Sequence, residues 1–145
     1  MFRFSQAAAA SLLLLVSAQG FATTPATLYK SPDCSCCDAY IDYLKTKGFS
    51  INTINTKKMT EIRKHYSSSK LSSCHTMVID NYTVEGHVPA GAIRKLLNDK
   101  PGITGISVPG MPANSPGMGS ETQGTLKIYE IAGKPSGKPR VFSIE

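Results

Sequence analysis

The chain has 145 residues, with 16 Lys+Arg against 10 Asp+Glu, three histidines, four cysteines, no tryptophan and a net charge of +6 at neutral pH. That length suits one domain of ordinary size. The lysines are scattered and the aromatics do not interleave with them, which argues against a nucleic-acid partner and leaves solubility as the plain role of the charge.

The chain opens with "MFRF", carrying Arg3, then the apolar run "AAAASLLLLVSA" and the small-x-small site "GFA" at 20–22. This is the layout of a secretory signal peptide, and the run is too short to span a bilayer. Cleavage is expected after Ala22, with Ala18 the second choice and an uncleaved anchor the competing reading. Residues 23–145 then form a soluble exported domain with no membrane span, and a bacterial periplasm fits best.

"ATLYKS" (26–31) reads as a strand ended by Pro32. Asp33 is placed to cap a helix whose face carries Cys37, Tyr40, Ile41 and Leu44 at i+3 and i+4 spacing, and Gly48 is its stop signal. A second strand is expected over 49–56 and a short helix over 59–66, with Thr60 as its cap. Residues 76–81 and 82–86 read as two strands joined by a tight turn, forming an antiparallel edge. Pro89 opens a helix running to residue 99. Residues 101–124 hold six Gly and four Pro and predict a long loop without regular structure. Residues 125–132 and 140–145 read as a hairpin at a sheet edge. The first strand-helix-strand unit implies a parallel pair. The whole predicts an α/β, thioredoxin-like sandwich with a mixed sheet, a long Gly/Pro/Met loop and a C-terminal hairpin.

Chemistry concentrates in "SPDCSCCDAY" (31–40), where Cys34, Cys36 and Cys37 share one turn, and in "SSCHTM", which holds Cys74 and His75. Four cysteines in an exported chain ordinarily suggest two disulfides. Here the spacing argues otherwise, because adjacent Cys36 and Cys37 poorly meet the geometry of a bridge. Cysteines at a helix N-terminus favour thiolate, the form that attacks disulfides and binds metals alike. Cys34 and Cys37 alone would serve a dithiol oxidoreductase acting on exported proteins, and then Cys36 would be idle. A metal site gains from each added thiolate, and soft sulfur selects Cu(I) or zinc. "VPGMPANSPGM" repeats Pro-Gly-Met and sets Met111 and Met118 on a glycine-proline loop, as soft donors or as apolar lids. Cys74, just before the third strand, is expected to face the 34–37 turn. A domain stapled by Cys34–Cys37 and Cys36–Cys74 is the structural rival. His75 has two readings, a ligand or a hydrogen-bond partner at the strand end. His87, in "VEGHVP", points either to the site or to solvent, and His65 is a surface residue.

CxCC, SCHT, EGHVP and the VPGMP…SPGM segment, in this order, resemble the periplasmic copper-resistance proteins of the CopG type, over about Thr27 to Glu145. The resemblance implies a thioredoxin-like fold, export in Gram-negative bacteria and a role in copper tolerance. It implies copper bound as Cu(I), singly or as a multi-copper cluster, and a thiol-linked change between Cu(I) and Cu(II). Cys34, Cys36, Cys37 and Cys74 match the family's sulfur ligands, and Met111, Met118 and His87 match further ligands. The partners it implies are copper ions and other periplasmic copper-handling proteins.

Overall fold

The computed structural model describes residues 23–120, 122–132 and 137–145. The leader expected over 1–22 lies outside the described residues. Seven strands form one mixed sheet: β1 (Thr24–Lys30), β2 (Phe49–Asn55), β3 (His75–Ile79), β4 (Tyr82–Glu85), β5 (Gly105–Ser107), β6 (Lys127–Ile131) and β7 (Val141–Ile144). Their order is β2-β1-β3-β4-β5-β6-β7. The pairs β1–β2 and β4–β5 are parallel and the others antiparallel. Helices α1 (Ser35–Thr46), α2 (Met59–His65) and α3 (Ala90–Asp99) and a 3₁₀ turn (Ser69–Leu71) complete the described elements. The expected α/β sandwich with a mixed sheet and a C-terminal hairpin is what forms.

Strand alternation gives the sheet two unlike faces. Ala26 and Leu28 of β1 stand opposite Ile79 and Met77 of β3, and Met77 opposite Val84 of β4. These residues pack in one core with Tyr40, Ile41 and Leu44 of α1 and Ile93 and Leu96 of α3. Burying each such Leu or Ile contributes about 1.5–3 kcal/mol. Residues of the opposite parity are more polar: Thr76 pairs with Glu85, and Glu85 with Ser107. The segment from α2 to the 3₁₀ turn reaches these polar groups. The Tyr66 carbonyl accepts from the Thr83 hydroxyl at 3.1 Å, the Leu71 carbonyl accepts from Ser107 at 2.6 Å, and Arg63 donates to Glu85 at 3.2 Å.

Several local expectations need correction. Cys34, not Asp33, is the N-cap of α1, and Lys58, not Thr60, caps α2; neither makes a side-chain capping bond. The Ser31–Cys34 turn is closed by its own backbone, from Cys34 N–H to the Ser31 carbonyl at 3.2 Å. The β3–β4 pair is central, not an edge, because β5 pairs with β4 and carries the hairpin beyond it. β5 itself falls inside the segment expected to lack regular structure. Its Gly105 approaches Thr83 of β4 so closely that a Cβ would collide with the Thr83 carbonyl. Long-range pairing, not local pattern, makes this strand.

Candidate metal centre

The end of β1 delivers the CxCC turn to the start of α1. Lys30, only 4% exposed, closes this junction. Its ammonium donates to the carbonyls of Ser31 and Cys34, each at 3.4 Å, and pairs with Asp38 at 3.1 Å. Cys37 is fully buried beneath the helix, while Cys34 and Cys36 are half-buried. Cys34 and Cys37 form a disulfide, and Cys36 and Cys74 are free thiols. Of the two-bridge staple, then, one bridge is present and Cys36–Cys74 is not.

Cys74 enters from the residue before β3. The four cysteine sulfurs lie within 4.8 Å of one another, and so do the donors of Cys37, Cys74, His75 and His87. Cys36 Sγ is 3.5 Å from Cys34 Sγ. Cys74 Sγ has His75 Nδ1 at 3.3 Å and His87 Nε2 at 3.1 Å. Both imidazoles are wholly buried and pack on the Tyr40 ring, with centroids 4.7 and 4.8 Å away. Both rings thus face Cys74 Sγ: His87 points to the site and not to solvent, and His75 stands within hydrogen-bond distance of the same sulfur. His65 is exposed, as expected.

Burial removes charge from this cluster. It pushes the Cys74 thiol up to about 12, with Cys36 adding to the effect and the Ser73 hydroxyl opposing it. Burial, together with neighbouring His87 and Arg63, lowers His75 to about 3, against the opposing Gly86 backbone. Burial also lowers His87, against the Pro116 carbonyl. The metal-free site therefore holds neutral imidazoles and a protonated Cys74 at neutral pH. Alkylation of Cys74 at pH 8 should run roughly a thousandfold slower than at an ordinary surface thiol. The rate should rise about tenfold per pH unit toward the thiol's pKa. Mass spectrometry of iodoacetamide-treated protein reads this site by site, and fast labelling at pH 8 would contradict it.

The methionine loop is tied to the site by its backbone. Ser73 Oγ donates to the Gly110 carbonyl, and Gly110 N–H donates to Ser72 at 3.1 Å. His87 donates its Nδ1–H to the Pro116 carbonyl at 2.6 Å. Gly117, at φ +78°, lies flat on α1, where a Cβ would stand 2.8 Å from Tyr40 N. Met118 is half-buried, whereas Met111 is 56% exposed. Gly117→Ala should cost about 1–3 kcal/mol by overpacking against helix backbone. It should also loosen the His87 ring, visible as a shifted and broadened imidazole resonance. An unchanged melting curve and an unchanged resonance would count against this account of the loop.

Beneath Cys74 lies a network that motif reading missed. Glu85, fully buried, accepts from Ser73 N–H at 2.7 Å, Thr76 Oγ1 at 2.6 Å and Arg63 Nε at 3.2 Å. Arg63 also donates to the Ser73 carbonyl at 2.6 Å. The residues on both sides of Cys74–His75 are thereby clamped. A glutamate in a strand of Tyr, Thr and Val was the available signal, since a buried carboxylate demands a partner. Lys30 and Pro116 carried no comparable signal.

A mixed α/β sandwich that gathers four cysteine sulfurs and two imidazoles at the head of a helix is a cysteine-rich protein with a cluster able to hold metal ions. The family described as "Protein of unknown function, DUF411" matches residues 71–118, the stretch holding Cys74, His75, His87, Met111 and Met118. Two solved structures, named copper resistance protein CopG form 1 and form 2, are each 31% identical to this chain. Each match covers 85% of this chain and 98% of the other, with a TM-score of 0.74. The chain belongs to the CopG family of copper-resistance proteins. No curated protein matches it significantly.

Proposed function

We propose that residues 23–145 form a periplasmic, thioredoxin-like copper-binding domain that contributes to copper tolerance, exported by the leader at 1–22. The observation that carries this reading is the convergence of four cysteine sulfurs within 4.8 Å. Cys34, Cys36, Cys37 and Cys74 supply thiolates when reduced, and His75, His87, Met118 and Met111 complete the shell. Clustered soft thiolates favour Cu(I), held singly or as a multi-copper cluster. No helix among the described residues is long and apolar enough to cross a membrane. Copper ions are the cargo, and other periplasmic copper-handling proteins are the natural donors and acceptors.

The closed Cys34–Cys37 bridge extends the reading to redox exchange. Closing it from two thiols releases two electrons and two protons. Two Cu(II) ions each take one electron and become Cu(I); the reverse reaction reopens the bridge and returns Cu(II). The same bridge supports a second reading, a thiol-disulfide oxidoreductase of exported proteins that uses only Cys34 and Cys37.

Thiol counting followed by anaerobic metal titration tests the proposal. Air-exposed, metal-free protein should show about half the titratable thiols of the reduced protein. Only the reduced form should take up Cu(I) with strong ultraviolet thiolate-to-copper charge transfer. Reduced protein that ignores Cu(I) would remove the copper reading, and a full thiol count in air would remove the redox extension.

A further inference from the structure

The two outer strands of the sheet are built differently. β7 has four residues, pairs with β6 across a register shift at Ile128–Tyr129, and follows Lys138 and Arg140. Short length, irregular register and charge are how native sheets keep an outer strand from pairing with another chain. β2 has none of these. Its seven residues, "FSINTIN", hold no charge and no proline, and they pair with β1 in unbroken register from Phe49 to Asn55. The Gly48 carbonyl accepts from Thr24 N–H at 3.1 Å, and Thr56 N–H donates to the Lys30 carbonyl at 2.9 Å. Even-numbered residues of this strand therefore turn their amides toward β1. By alternation, the N–H and C=O groups of Ile51, Thr53 and Asn55 point away from the sheet. β2 ends the strand order, and among the described residues no hydrogen-bond partner meets these groups. Ile51, half-buried, and Ile54, 38% exposed, add apolar contact on opposite faces of the strand.

Charge at the two ends of β2 says what would pair there. Lys47 and Lys57 flank the strand, both exposed and both without an ion pair among the described residues. At the Phe49 end the edge opens on a cleft of about 510 Å³, where Arg94 and Lys100 stand against Asp80 beside Phe49 and Leu97. A second copy of the chain is a poor occupant. Antiparallel self-pairing of the whole strand centres on Asn52 and sets Lys47 of each copy opposite Lys57 of the other, and like charges directly opposite are destabilising. Acidic groups at those positions are favourable instead. We propose that β2 is the docking edge for an extended segment of another protein, uncharged and β-branched in its middle and acidic at both ends. The segment adds to the sheet as an eighth strand, antiparallel to β2. Main-chain hydrogen bonds to Ile51, Thr53 and Asn55 hold it, and the lysines fix its ends. β2 contributes no residue to the sulfur and imidazole cluster, so this inference stands apart from the copper reading.

The test titrates isotope-labelled protein with a synthetic peptide of alternating Thr and Val, capped at both termini and carrying two glutamates at each end. A second peptide has lysines in place of the glutamates. The amide resonances of Ile51, Thr53 and Asn55 should shift saturably with the first peptide and gain protection from hydrogen exchange. The lysine peptide should bind about tenfold more weakly. Lys47→Glu combined with Lys57→Glu should reverse that preference by a similar factor. Thr53→Pro removes an outward N–H and leaves the pairing with β1 untouched, so it should abolish binding, with near-ultraviolet circular dichroism checking the fold. Should the proline variant fail to fold, the charge-reversed variant decides, because both lysines are exposed. Absence of saturable binding, shifts confined to residues away from β2, or equal binding of the two peptides overturns the inference. Sedimentation of the protein alone should show a monomer. A dimer that protects the same three amides would make a second copy the occupant and overturn the inference as well.

Discussion

Replacing Cys74 with serine is expected to lower Cu(I) affinity by at least about a hundredfold, or roughly 2.8 kcal/mol. Cys74 is the one cysteine of the cluster that does not come from the CxCC turn, and it sits between two imidazole nitrogens at 3.1 and 3.3 Å. Serine keeps the shape and offers a hard, protonated oxygen where soft Cu(I) requires sulfur. Stability should change little, because serine replaces only one atom of a half-buried side chain. Competition against a Cu(I) chelator under anaerobic conditions gives the affinity. Insulin reduction, measured alongside, addresses the oxidoreductase reading, which needs only Cys34 and Cys37. Undiminished copper affinity in this variant would mean that the sulfurs of the turn act alone.

Glu85→Ala should destabilise the fold by about 3–5 kcal/mol, the usual cost of removing one partner from a buried ion pair. The variant strands the Arg63 guanidinium and leaves Ser73 N–H and Thr76 Oγ1–H without their acceptor. Those groups flank Cys74 and His75, so copper affinity should fall as well. Glu85→Gln keeps the shape and part of the hydrogen bonding, and it should lose less. Adding Arg63→Met to Glu85→Ala should recover part of the loss, because the stranded charge is removed. Urea denaturation of the wild type, Glu85→Ala, Arg63→Met and the double variant measures this cycle. A loss under about 1 kcal/mol for Glu85→Ala would show that solvent reaches the network.

The sequence spoke most clearly where local pattern and tertiary role agree. Cys37, Tyr40, Ile41 and Leu44 repeat at helical spacing, and the same four are the buried residues of α1. The thiols of the turn needed only the strand-helix junction to be placed. β5 was illegible because Gly105-Ile106-Ser107 is short and set among Gly and Pro, and its partner β4 lies some twenty residues earlier. The directions of His75 and His87 depend on strand register and on a loop carbonyl from Pro116, neither of which is written locally. Caps misled for a simpler reason: the backbone-closed Ser31–Cys34 turn puts Cys34 at the N-cap and leaves Asp33 one residue outside it. Lys30 looks like a strand-end surface residue until the CxCC turn folds over it.

The sulfur cluster is assembled from segments about forty residues apart, and this imposes an order on how the molecule matures. A chain that emerges N-terminus first presents the CxCC turn before Cys74. Cys34 and Cys37 close a loop within one helical turn, so their pairing needs almost no long-range search. Cys74, by contrast, meets its neighbours only after β3 has docked beside β1. Early oxidation in a newborn chain is therefore channelled into the local pair, and the late-arriving thiol is delivered unspent.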